Sequence, residues 1–280
     1  MYLTIRNLPK CIRRKPSHQG QILLAYLLTT HLTHIHNKAA RCQALANLFH
    51  AYIGHIVGPL WEAGINGMEI ISGDGVHHCG HPILVSYVGD YPEQCSIIST
   101  YTGDCPICEC PHSDLGRHPC GTPYHDLDTV LDALEQIGLP SYSAACWDAR
   151  VKPLQCPFWA NLPFVNIFWS ITPNLLHQLY QRVIQHLVSW LTDICGATEI
   201  DARVCRLPPN HSIQNFWKGI TILTYITGTE HRQIASFLLG LVSNIELPKS
   251  TSSAQLTSAT HLLLDFLYLA QYPVHNNSTL

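Results

Sequence analysis

Five settings in this sequence hold side chains whose type and spacing could do chemistry. Asp90 follows the apolar run Pro82-Ile-Leu-Val-Ser-Tyr-Val88 and sits inside the turn Gly89-Asp90-Tyr91-Pro92. A carboxylate just past the carboxyl end of a strand stands where α/β sheets collect ligand-binding groups. An aspartate before Tyr-Pro is also ordinary turn chemistry, and both readings stay open. Glu230 shares a helical face with Ile234, Phe237 and Leu241, and a carboxylate on a core-facing stripe wants a partner or a metal ion. Thr227, three residues earlier, offers it a plainer task in a capping box. The pair Cys105-Pro-Ile-Cys108 lets two thiolates reach one tetrahedral Zn²⁺ from a single turn. Cys110, His112, His118, Cys120 and His125 are candidates for the remaining ligands, but they form no second C-x-x-C, so a loop of free thiols is the alternative. His177 lies near the start of a long helical pattern, as an active-site neighbour or a histidine at the edge of a core. His77-His78-Cys79 and His81 make a weaker cluster, because a strand splays alternate side chains to opposite faces.

The elements that must position these groups follow from periodicity and punctuation. Thr172 as cap and Pro173 at the first helical position predict a helix over 172–195. Leu175, Leu179, Val183, Leu187, Leu191 and Ile194 form its stripe, and Gly196 stops it. Leu176, Tyr180, Ile184 and Trp190 widen that stripe, which leaves His177 on its rim and Asn174 beyond. The continuous apolar run 82–88 suits a strand buried on both faces. Residues 39–61 read as a helix with Ala44, Leu45, Leu48, Phe49, Tyr52, Ile53 and Ile56 on one face, bent or ended by Gly58-Pro59. Short helices are expected over 126–137, from Thr227 onward and over 259–272, and a short strand over 2–5; the run 21–28 is of ambiguous type.

Bulk properties narrow the class. The chain has 280 residues, 46% hydrophobic and 12% charged, enough for a real core and too apolar for disorder. Its apolar runs are too short or interrupted to span a bilayer, and Arg6, Lys10, Arg13, Arg14 and Lys15 interrupt any signal-peptide pattern, so a soluble intracellular protein with no membrane partner is expected. Twelve cysteines without signs of secretion point to reduced thiols or metal ligands rather than a disulfide framework. A net charge of −3 with 16 Lys+Arg is weak for nucleic-acid binding, and only the N-terminal basic cluster could form a phosphate-binding patch. The 18 histidines would make any such binding strongly pH-dependent.

Six segments, in this order, resemble one family. They are Leu3-Thr-Ile-Arg-Asn-Leu-Pro-Lys10, Ile12-Arg-Arg-Lys-Pro-Ser17, Val88-Gly-Asp-Tyr-Pro-Glu-Gln94, Ser170-Ile-Thr-Pro-Asn-Leu-Leu-His-Gln-Leu-Tyr180, Leu207-Pro-Pro-Asn-His211 and Thr227-Gly-Thr-Glu-His231. Together they are similar to the Plavaka group, fungal transposases related to the CACTA superfamily. The resemblance implies an α/β fold: a partial ribonuclease H-like core with large helical and Cys/His-rich insertions. On that frame 1–103 is the N-terminal part of the core, 104–125 the Cys/His-rich insert, 126–247 a helical insertion with return to the core, and 248–280 a linker and final helix.

The implied activity is DDE-type cleavage and transfer of DNA strands at transposon ends, with two aspartates and a third acid holding Mg²⁺ or Mn²⁺, hard cations that prefer oxygen ligands. Asp90 matches the second aspartate and Glu230 the third acid. His177 matches the histidine of an Asp-x-x-His signature that here reads Asn174-Leu-Leu-His177. Cys105 and Cys108 fall where relatives carry a C-x-x-C, with Zn²⁺ as the candidate ion. The first aspartate would lie ahead of Tyr2, Asn174 replaces a carboxylate, and Arg182 stands where a glycine is expected. An internal fragment with impaired catalysis is therefore expected, nuclear by resemblance and a candidate for self-association. The alternative is a non-catalytic remnant that keeps DNA or zinc binding.

Overall fold

The structure is a computed structural model that describes residues 1–13, 15–117, 119, 121–247, 252–272 and 274–277. Arg14, His118, Cys120 and the start of the predicted linker, 248–251, lie outside the described residues. The chain divides into two compact units, Met1–Thr172 and Pro173–Leu280. Helices dominate both, and the described strands form three two-stranded sheets.

In the first unit, β1 (Tyr2–Leu3) precedes α1 (Lys10–Arg13) and pairs antiparallel with β2 (Ile22–Leu23). The long α2 (Lys38–Asn66) follows, capped by Asn37, whose side chain accepts from Ala40 N–H. It continues through Gly58-Pro59 to Asn66, so the proline does not end it. An internal proline costs about 3 kcal/mol. Burial of Val57, with Leu60 and Trp61 packed on the same core, offsets that. The buried line is His50, Ile53, Val57 and Gly64, turned from the predicted face. Gly64 is needed for close approach, because a Cβ there would collide with the Pro163 ring.

The hairpin β3 (Met68–Ile71) and β4 (His77–Gly80) comes next, then β5 (Tyr87–Gly89) and α3 (Tyr91–Ile98). The predicted strand over 82–88 shrinks to β5, and it is not buried on both faces: Ile83, Val85 and Val88 are exposed. A two-stranded sheet gives each strand one partner and leaves its other edge open. The unit closes with α4 (Leu127–Glu135), α5 (Tyr142–Asp148), α6 (Ile167–Ser170) and β6 (Ile171–Pro173), which pairs with β5. Helix α4 is as expected, with Asp126 as cap and Val130 and Leu134 buried. Phe158, Trp159, Ile97 and Phe168 form the middle of the core, and Trp159 Nε1–H donates to Ile97 O at 2.8 Å.

In the second unit the predicted 172–195 helix begins later and winds differently. Thr172 is in β6, where its hydroxyl donates to Tyr87 O at 3.3 Å, so Asn174 rather than Thr172 is the cap. Residues Leu175–Ile184 form a π-helix, which continues as α7 (Gln185–Cys195) and stops at Gly196. A π-helix turns fewer degrees per residue than the α-helix assumed in reading the stripe. Leu175 is thereby left exposed, and Tyr180, Ile184, Leu187 and Leu191 become the buried line. Helices α8 (Ala197–Cys205), α9 (Gly228–Val242) and α10 (Ser253–Leu269) complete the unit, α10 starting six residues before the predicted 259. The core joins Ile184 and Leu191 to Ile200, Ile234, Leu238, Leu241 and Leu264. Asp201 fixes the loop before α9: its Oδ1 accepts from Ile220 N–H at 2.7 Å and Thr221 N–H at 3.0 Å, while Oδ2 accepts from the Thr221 hydroxyl.

Candidate functional site

Asp90 lies in the first unit, directly after β5, where the sequence placed it. It caps α3: extended backbone (φ −73°, ψ 171°) lets its Oδ1 accept from Glu93 N–H at 3.0 Å. An aspartate is well suited to this, since its charge also faces the positive end of the helix dipole. Around it, Tyr87 OH donates to Glu93 Oε1 at 2.9 Å, and Gln94 Nε2–H donates to Gly89 O at 2.9 Å. Tyr91 OH donates to Asp104 O at 2.9 Å and accepts from Gly103 N–H. Burial, reinforced by the Glu93 carboxylate, pushes the Tyr87 phenol up, and burial pushes Tyr91 up to about 12. Both are hydroxyl donors at neutral pH. Glu93 is thus a second carboxylate one turn from Asp90 that sequence reasoning gave no role. The signal was its position three residues past a cap aspartate.

His177 and Glu230 belong to the second unit. His177 is exposed, and its backbone N–H is held by Asn174 Oδ1 at 3.2 Å, which also accepts from Leu176 N–H at 3.0 Å. Glu230 sits in a complete capping box at the start of α9. Its Oε2 accepts from Thr227 N–H and from the Thr227 hydroxyl, both at 2.8 Å, and Glu230 N–H donates back to Thr227 Oγ1 at 3.2 Å. These bonds, the Thr227 N–H first, hold its carboxyl below the usual range. His231 beside it is buried and donates through Nδ1–H to Thr227 O at 3.1 Å, and burial lowers its pKa. The start of α9 abuts the start of the π-helix, for a Cβ at Gly228 would lie 3.1 Å from Leu176 O. Glu230 and His177 therefore begin neighbouring, packed elements. The capping hydrogen bonds use Asp90 Oδ1 and Glu230 Oε2, and among the described residues none falls on Asp90 Oδ2 or Glu230 Oε1. Among the described residues, no group of three or more His, Cys, Asp or Glu is already set around one metal position.

The Cys105 loop folds on itself. Cys105 Sγ accepts from Ile107 N–H at 3.4 Å, and Cys108 Sγ accepts from the Thr122 hydroxyl at 3.7 Å. Burial pushes the Cys108 thiol up. Of the named distal ligands, His112 Nδ1 faces Gly103 O at 3.3 Å. His125 is buried against Phe168, with Nε2 on Cys105 O at 3.2 Å and Nδ1 without a partner among the described residues. With Nε2 bonded to a carbonyl, His125 serves as a core strut for the loop.

A family model described as Plavaka transposase matches residues 1–191. The chain belongs to this family. The matched stretch contains Asp90, the Cys105 loop and His177, and Glu230 lies beyond it. Comparison with curated proteins and with solved structures returned no match. No helix among the described residues of this Plavaka protein is long and apolar enough to cross a membrane.

Proposed function

We propose that this chain is a DDE-type DNA transposase derivative that engages DNA but is impaired in cutting it. The family match over 1–191 supports the transposase reading. The single observation that carries the impairment is at Asn174. Its amide oxygen is committed to Leu176 and His177 N–H, and the other half of the amide is an NH₂ donor that repels a cation. A carboxylate at this signature position could cap with one oxygen and offer the other. Asp90 and Glu230 keep that second oxygen, and they are the residues that would hold Mg²⁺ or Mn²⁺ in a ribonuclease H-like core. Bound there, such ions supply an activated water or 3′-hydroxyl and stabilise the leaving oxygen. His177, exposed beside the α9 start, would contact the DNA or its reacting phosphate.

On this reading 1–103 begins the core, 104–125 is a Cys/His-rich insert in which Cys105 and Cys108 bind Zn²⁺, 126–247 is an insertion that returns to the core, and 248–280 is a linker and final helix. The N-terminal cations Arg6, Arg13 and Lys15 supply phosphate contacts in a nuclear, self-associating protein.

The test is supercoiled plasmid incubated with pure protein and Mn²⁺ or Mg²⁺. Retention of DNA that weakens as salt rises, with little nicking, is expected. Asn174→Asp should raise nicking, and Asp90→Ala should remove what remains. Efficient divalent-dependent nicking by the unaltered chain would overturn the impairment, and no DNA retention even at low salt would overturn engagement.

A further inference from the structure

The β3–β4 hairpin carries a cluster that the proposed function does not use. In register, Glu69 opposes Cys79 and Ile71 opposes His77. Side chains two apart along a strand share a face, so His77 and Cys79 project together beside Glu69, while His78 projects with Ile70 on the other side, and His81 follows directly after the strand. Cys79 Sγ and His81 Nε2 stand 3.7 Å apart. A Zn²⁺ bound at about 2.3 Å from sulfur and about 2.05 Å from nitrogen spans about 3.5 Å in a tetrahedron. The pair is therefore already near ligand spacing.

Two further observations prepare it. His81 Nδ1–H donates to Gly64 O at 3.0 Å, which fixes the ring and leaves Nε2 as the bare lone pair that faces Cys79. Metal-bound histidines carry this outer hydrogen bond almost without exception. Gly67 (φ +78°) lies against the pair, and a Cβ there would overlap Cys79 Sγ and come within 3.2 Å of His81 Nε2. The glycine thus keeps open the space over both donors. Glu69 and His77, 2.5 Å apart through Oε1 and Nδ1, are mostly exposed at 71% and 63%, so either can swing to a third ligand position.

We infer that this hairpin is a zinc site of its own, with Cys79 and His81 as its preset ligands, Glu69 or His77 as the third, and water as the fourth. It is separate from the Cys105 loop and independent of any activity on DNA.

The experiment uses the full chain, stripped with a chelator and alkylated with iodoacetamide, each cysteine being followed by peptide mapping. Addition of Zn²⁺ should slow alkylation of Cys79 by about tenfold or more, the scale on which metal-site contacts act, and chelator should reverse it. His81→Ala should abolish protection at Cys79 without changing that at Cys105 and Cys108, with circular dichroism unchanged because His81 is exposed. An unchanged Cys79 rate with Zn²⁺, or full protection surviving His81→Ala, would overturn the site. A fast, zinc-insensitive Cys79 would overturn it too, and would mark the pair as a thiol activated by imidazole.

Discussion

Asn174→Ala removes the acceptor for two backbone donors, Leu176 N–H at 3.0 Å and His177 N–H at 3.2 Å. Loss of such a cap costs about 1 kcal/mol. If opening of the helix start is local, that is about a fivefold rise in the open population. Hydrogen exchange at the Leu176 and His177 amides reads this directly, with α10 amides as an internal reference. Asn174→Asp keeps an acceptor in place and adds about 0.3 to 1 kcal/mol from a negative charge at the helix N-terminus. Its exchange should be slower than that of the unaltered chain by up to about fivefold, and only at pH values where the new carboxyl is ionised. Unchanged exchange in Asn174→Ala would refute the reasoning. The helix start would then be fixed by Leu176 against the α9 start, where Gly228 allows close contact, and not by the cap.

Glu230 separates structure from chemistry by the pair Glu230→Gln and Glu230→Ala. Gln should keep most of the capping box, and Ala should destabilise α9 by about 1 kcal/mol in urea unfolding. Because its folded pKa lies below the ordinary 4.5, Glu230 contributes stability that is present above pH 4.5 and lost as pH falls through the folded value. His50 works in the opposite charge sense. Burial lowers its pKa from 6.5 to about 4, so it is neutral in the fold, with Nε2–H on Ser96 O and Nδ1 accepting from Phe158 N–H. The unfolded chain binds the proton first, so stability should fall as pH drops from 6.5 and level off below about 4, and His50→Gln should flatten that slope in urea midpoints. Asp201→Ala strands the donors of Ile220 and Thr221, at a cost of about 2 kcal/mol or more, and should speed exchange at those two amides by about thirtyfold.

Local signals were legible and distant ones were not. Thr227 with Glu230 and Gly196 after α7 could be read directly, because a cap is a matter of three or four consecutive residues. Thr172 and Asn174 are both good caps around one proline. The choice between them depends on β5, more than eighty residues away, which draws Ile171–Pro173 into a strand. The apolar run 82–88 was over-read because continuity suggests two covered faces, whereas the number of strand neighbours is a tertiary fact. The same distinction governs the site. The positions of Asp90 after a strand and Glu230 at a helix start were visible in sequence. The Cys79 and His81 cluster reads as only a weaker candidate in sequence, because the contribution of Gly64 and Gly67 comes from the preceding helix end.

Asp90, Asn174 and Glu230 all hold helix starts, and under the proposed function this bears on how a transposase derivative could lose chemistry while it keeps its fold. A cap fixes a side-chain rotamer through one acceptor, so in a carboxylate the second oxygen is aimed by the same bond that stabilises the helix. Preorganised ligands of this kind serve a cation well, since little ordering remains to be done. Replacement of a carboxylate by asparagine keeps the capping acceptor and its geometry, and asparagine caps about as well as aspartate. What it loses is the charge and the second oxygen. Such a change costs at most about 1 kcal/mol in stability and is severe in metal affinity. On the proposed function Asn174 is where the two requirements part, and Asn174→Asp tests whether one residue can serve both.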